Sequence, residues 1–243
     1  MRNKLNTLGD KKISYDLSIS DLMVAVSCIF LLFLTIVIIE LNRQNAKYEE
    51  KNGKAGEYID MQKELKKALE EEFRDDFRED KWDAYISDDL TIHFRDEQIM
   101  FAPNSTEVTD GFKSILDDFF PRLINVLADK EFSDNILEIR LEGHTARDPK
   151  YSLEEDYERG MVTSQQRTTN VLFYCLQNTK LLSETIGGEE SYSWVRKRIA
   201  AIGYSSSLPV LKKNGEPDLT ASRRVEIKIR TKAEEVIFDI NNL

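Results

Sequence analysis

Residues 22–39 carry no charged side chain, and only Ser27 and Thr35 interrupt their apolar character. Eighteen such residues are enough for a helix to cross the hydrocarbon core of a bilayer. Leu17 and Ile19 extend the apolar pattern towards the N-terminus, so the sequence predicts a transmembrane helix over 17–41 behind an N-terminal tail over 1–16. The pattern then reverses. Residues 42–89 are dominated by Glu, Lys, Asp and Arg, contain no proline, and hold Gly53 and Gly56 as breakers. They predict a charged, partly helical connector, a short loop followed by a helix. On that helix Met61, Leu65, Leu69, Phe73 and Phe77 recur every fourth residue as a narrow apolar stripe. The stripe can dock on a folded domain, pair with a second copy of the chain, or remain on a solvated stalk. A four-residue repeat drifts around the helix, which argues against a long regular coiled coil.

From residue 90 onward, strand-like and helix-like periods take turns. Residues 90–94 alternate as a strand, and 98–105 end in the turn residues Pro103 and Asn104 before an amphipathic helix over 109–128. A second strand over 136–141 leads into Glu142-Gly143-His144-Thr145. A helix follows over 164–176 with Val171, Leu172 and Cys175 on its apolar face, and another over 194–199. Residues 200–204 enter a strand and loop, and 225–229 form the last strand. The order is β-α-β-α-β-β, an α/β (α+β) sandwich with helices covering one face of a sheet. The predicted domain spans 90–231, with a C-terminal tail over 232–243.

Charge and chemistry narrow this picture. A net charge of −10 excludes nucleic acid as the partner, because phosphate neutralisation needs a basic surface. Cys28 sits at membrane depth and Cys175 far beyond it, which excludes an intrachain disulfide. His93 and His144 have no Cys or His neighbour at ligand spacing, so linear spacing supports no zinc site. His144 reads as a structural turn residue, since no Ser or Cys nucleophile and orienting acid accompany it. No catalytic group is predicted. The apolar run lacks the shorter core and small-residue cleavage site of a signal peptide. Val26-Ser27-Cys28 is not a lipid-attachment box either, because eleven apolar residues follow the cysteine. Positive charges balance on either side of the helix, with Arg2, Lys4, Lys11 and Lys12 before it and Arg43, Lys47, Lys51 and Lys54 after it.

Asp21 stands at the start of the uncharged run. A carboxylate at membrane depth costs about 2.5–3.5 kcal/mol and faces protein or a water path, whereas an interfacial Asp after Ser18 and Ser20 would serve as a helix N-cap. The pattern Ser20-Asp21-Leu22-Met23-x-Ala25, followed by a Phe- and Leu-rich stretch, resembles the membrane helix of MotB-type stator subunits. Five further segments fall in the order of the OmpA-like peptidoglycan-binding domain. They are Met100-Phe101-x-x-x-Ser105, Leu141-Glu142-Gly143-His144-Thr145, Ser164-x-x-Arg167-x-x-x-Val171, Gly203 with Leu208-Pro209-Val210, and Ala221-Ser222-Arg223-Arg224-Val225-Glu226-Ile227.

The resemblance implies that Asp21 carries a transported proton or sodium ion, with no other cofactor. It implies a partner, a multi-helix MotA/ZorA-like subunit forming a pentamer around a homodimer of this chain. The N-terminus would be cytoplasmic and the C-terminal domain periplasmic on a bacterial inner membrane. A diaminopimelate carboxylate of peptidoglycan would be held by Arg167, with Thr145 and Arg223 beside it, since a guanidinium can form two parallel charge-assisted hydrogen bonds. The family places an Asp directly after Gly-His-Thr for the ligand amine. Ala146 stands there in this chain, with Asp148 two residues on, and Arg159 and Gly160 replace the usual Tyr-Asn. Because Arg223 and Arg224 alternate along a strand, at most one faces the ligand groove. The short chain and the connector without a proline-rich break resemble the ZorB branch of the family, tied to Zorya anti-phage defence. A flagellar MotB-type stator subunit, or a passive OmpA-like wall tether, are the alternatives.

Overall fold

The computed structural model describes residues 6–95, 97–102, 105–178, 185–186 and 189–241, in backbone only at 6–18, 51–52, 97–98, 178, 185–186, 189–191 and 237–241. Pro103, Asn104, Arg2 and Lys4, used in the sequence reading, lie outside the described backbone. Lys11, Lys12, Leu17 and Ser18 are described in backbone only. Two compact units divide the chain, residues 1–54 and 55–243.

Helix α1 (Asn6–Glu72) belongs to both units. In the first unit its apolar side chains are exposed, among them Leu22, Ile29, Phe30 and Phe33. The most apolar eighteen-residue stretch has a mean hydropathy of 3.1, so the helix is long and apolar enough to cross a membrane. The loop expected around Gly53 and Gly56 is absent, since both residues are helical. Each glycine costs a helix about 1 kcal/mol relative to alanine, and the Lys-, Glu- and Ala-rich sequence around them outweighs that.

In the second unit the stripe on the end of α1 has its answer. Leu65, Leu69 and Phe73 are fully buried and Met61 and Phe77 packed in part, so this is a docking helix. Phe73 stacks on Phe77 at 5.0 Å and lies 5.0 Å from Phe119. Arg122 locks the junction: it donates to Glu72 Oε1 at 2.7 Å and to the buried Asp76 Oδ2 at 2.8 Å, with its guanidinium over the Phe73 ring.

The chain continues through β1 (Ala84–Ile86), β2 (Thr91–Phe94), α2 (Glu97–Met100), α3 (Asp110–Leu127), β3 (Ile136–His144) and α4 (Leu153–Asn178). A two-residue hairpin, β4 (Thr185–Ile186) and β5 (Glu189–Glu190), precedes α5 (Ser191–Arg196), β6 (Ile199–Gly203), α6 (Leu219–Ser222), β7 (Arg224–Thr231) and α7 (Lys232–Asn241). The main sheet runs β1-β2-β7-β3-β6, antiparallel except for the parallel pair β3–β6. Ile92, Ile139, Leu141, Ile227 and Ile229 share one buried core with Phe112, Leu116, Phe119, Phe120 and Leu123 of α3. Alternate positions of β3 and β7 carry charge instead, with Glu138, Arg140, Lys228 and Arg230 among them.

The α/β sandwich and its β-α-β-α-β-β order match the sequence reading, and four details differ. Strand β1 lies inside the charged connector, where three residues were too few to reveal a period. Helix α4 begins at Leu153, eleven residues before the helix expected over 164–176. Strand β6 starts at Ile199, which had been given to the preceding helix. The tail is helical to Asn241, with Ala233 fully buried.

Candidate functional site

The early start of α4 shapes the site. Ser152 Oγ accepts from Glu155 N at 3.2 Å, and Ser152 N donates to Glu155 Oε2 at 3.1 Å. This reciprocal pair is a capping box, which satisfies two otherwise orphaned backbone donors and nucleates the helix there. The first turns of α4 thereby pack beside the end of β3. Gly160 permits the approach: a Cβ built on it would lie 2.4 Å from Ser205 Oγ and 2.6 Å from Thr145 Oγ1.

Between these elements opens a cleft of about 680 Å³, within the size range of ligand pockets. Thr145, Ala146, Arg147 and Asp148 enter it from the loop after β3. Asp156, Arg159, Thr163 and Arg167 come from α4, Phe101 and Thr106 from before α3, and Leu219 and Arg223 from α6 and its end. All four wall-binding candidates of the sequence reading, Arg167, Asp148, Thr145 and Arg223, therefore line one cleft. Arg224 does not. It pairs with Glu226 on its own strand and donates to the Leu208 carbonyl at 3.3 Å.

Arg167 is 6% exposed and held in place. Its Nε donates to the Ser105 carbonyl at 3.1 Å, and its guanidinium lies 4.8 Å from the Phe101 ring centre. A guanidinium fixed through its stem and face presents a fork of known orientation. Asp148, by contrast, is exposed at the rim, and its Oδ1 accepts from Lys150 N at 3.0 Å in a local turn.

Sequence reasoning missed Asp156, the carboxylate beneath the loop. It is buried, and its Oδ1 accepts from Asp148 N at 2.8 Å while Oδ2 accepts from Ser206 Oγ at 2.6 Å. Burial pushes this carboxyl up, but the hydrogen bonds from Ser206 and Asp148 and the nearby Arg147 outweigh burial and hold it below the usual carboxylate range. Arg147 donates to the Asp148 carbonyl at 2.8 Å and to the Tyr151 carbonyl at 3.0 Å, and Arg159 stacks over the Tyr151 ring at 4.4 Å. The Ser152-x-x-Glu155 spacing was the available signal, because it sets the helix start and so puts Asp156 in the first turn. The cleft is lined by four arginines and two aspartates. In a chain of net charge −10 this local excess of cation suits a carboxylate-bearing ligand.

Asp21 lies inside α1, fifteen residues past its start, so the alternative role of a helix N-cap is overturned. Its side chain is exposed on the isolated chain.

A helix long and apolar enough to cross a membrane and a mixed α/β domain with an arginine-lined cleft define the class of protein. No protein-family model matches the sequence. The Zorya protein ZorB of Escherichia coli is 36% identical to this chain over 221 residues, which cover 89% of this chain and 88% of that protein. The chain belongs to the ZorB family. Among solved structures, a MotB-like protein from Desulfovibrio vulgaris is 18% identical with a TM-score of 0.48, covering 72% of this chain and 94% of that one. The cell wall anchor of the T6SS from Pseudomonas aeruginosa is 21% identical with a TM-score of 0.43, covering 67% and 96%.

Proposed function

We propose that this chain is the peptidoglycan-anchored stator subunit of an ion-driven membrane complex that acts in anti-phage defence. Membership of the ZorB family, shown over 89% of the chain, carries the reading. The helix over 17–41 crosses the bacterial inner membrane once, with its N-terminus in the cytoplasm and the C-terminal domain in the periplasm. Asp21 takes up and releases a proton or sodium ion.

A single helix cannot shield an ion path from lipid, so a multi-helix MotA/ZorA-like subunit, pentameric around a dimer of this chain, must surround the carboxylate. Ala25, Cys28, Leu32 and Thr35 follow Asp21 at alternating spacings of four and three, which puts them on its helix face. Ala25, Cys28 and Thr35, small or weakly polar, favour close approach of neighbouring helices there. Outside the membrane the cleft holds a peptide stem of the wall: Arg167 grips the diaminopimelate carboxylate, Thr145 and Arg223 flank it, and Asp148 meets the amine from the rim. The chain works as anchor and ion carrier and not as an enzyme.

The test is Asp21→Asn in cells carrying the complete system, scored for protection against phage and for co-purification with the partner subunit. Loss of protection with normal assembly is expected. Full protection by the assembled Asp21→Asn complex would reduce the chain to a passive tether.

A further inference from the structure

Away from the cleft, β3 and β7 bring three potential metal ligands together. Glu142 and His144 are two residues apart on β3 and so share a face, and Glu142 is directly opposite Glu226 of β7. The nearest ligand atoms of Glu142, His144 and Glu226 lie within 4.8 Å of one another, and all three residues are buried. We propose that these three side chains form a binding site for a divalent transition metal of the zinc class.

His144 is the observation that points to a ligand. It is 2% exposed, and neither ring nitrogen has a hydrogen-bond partner among the described residues. Nε2 lies 3.5 Å from Glu226 Oε2, beyond good hydrogen-bond geometry but aimed into the cluster. The ring is fixed by stacking on Tyr204, with centroids 5.2 Å apart and planes within 8°. A buried imidazole whose nearest carboxylate oxygen stands 3.5 Å off is poorly satisfied, and two carboxylates directly opposed on neighbouring strands repel, a repulsion that His93 and Arg224 offset only from the Glu226 side. A single divalent cation between them answers both.

The surroundings fit that role. His93 Nδ1 lies 2.8 Å from Glu226 Oε1, and Arg224 donates to the same oxygen. These partners orient the carboxylate and leave Oε2 towards His144, as outer-sphere hydrogen bonds do in metal sites. One imidazole and two carboxylates are a donor set for zinc and its neighbours, whereas calcium and magnesium take oxygen alone. Bonds of about 2.0–2.2 Å require the three atoms to draw together. Spacing along the chain concealed the site, because its ligands come from two strands more than eighty residues apart. Since Thr145 and the cleft loop follow His144 directly, metal here would brace the base of that loop.

The experiment uses tag-free full-length protein in detergent, titrated with Co²⁺ and followed by visible absorption, with Zn²⁺ as competitor. Wild type is expected to show a saturable, Zn²⁺-displaceable cobalt spectrum at a single equivalent per chain. Glu142→Gln and His144→Gln should each weaken it by at least about tenfold. Zn²⁺ should raise the melting temperature of wild type and not of Glu142→Gln. The metal-free melt of Glu142→Gln reports whether that variant folds. No cobalt spectrum with folded wild type, or equal affinity in a folded Glu142→Gln protein, would overturn the proposal.

Discussion

In the proposed wall-binding role, two side chains of the cleft divide the work between grip and support. Arg167→Lys keeps the charge but loses the planar fork, so retention of the protein by purified sacculi should fall sharply while the melting temperature changes little. Retention equal to wild type would remove Arg167 from the binding role. Asp156 touches no ligand in this reading, but it holds the loop that does. Asp156→Ala strips acceptors from Ser206 Oγ and Asp148 N and should cost about 1–3 kcal/mol of stability, measured by denaturant unfolding. Its pH dependence has a definite sign. The folded carboxyl lies below its unfolded value of about 3.9, so its contribution is fully present above that value and is lost as pH falls through the lower folded one. The stability gap between wild type and Asp156→Ala should therefore close in acid; a gap unchanged from neutral pH down to about 2 would contradict this assignment. Arg167 was legible from its motif, whereas Asp156 was one acid among 44 until the fold buried it.

At the scale of elements, the end of α1 matters most. Leu69 is fully buried in the second unit, so Leu69→Ala should destabilise it by about 2–5 kcal/mol, read as a lower midpoint in thermal or denaturant unfolding. A solvated stalk would tolerate the change, and a midpoint like that of wild type would return the stripe to that role. The sequence showed the stripe but not its partner, since a period reveals a buried face without saying what buries it. The same limit applies to β1, where three residues carry too little pattern to separate from the charged connector around them. Helix α4 is a different case. Its start was written in Ser152 and Glu155, and the acidic composition around them masked a local capping signal.

Across the whole molecule, the proposed function joins ion passage to wall attachment. One charge crossing 100 mV releases about 2.3 kcal/mol, which is useful only if the carboxylate that receives it is enclosed by protein and the assembly is held against something fixed. In the proposed function, Asp21 and the arginine-lined cleft serve those two needs from separate units of the chain. Asp21→Asn and Arg167→Lys should consequently fail in distinct ways, the first with sacculus retention intact and the second with assembly intact. Co-purification and sacculus pull-down on both variants separate them, and loss of both properties in either variant would contradict independent roles.

By itself the sequence determined the apolar helix and the alternation of strands and helices, because these follow from local period, while Arg167, Thr145 and Arg223 stood out only through resemblance to the OmpA-like motifs. Only the tertiary structure decided where the α1 stripe packs, that Asp156 lies beneath the cleft loop, and that Glu142 and His144 meet Glu226. Those outcomes depend on strand register and on which surfaces close over one another, and neither quantity is carried by neighbours along the chain.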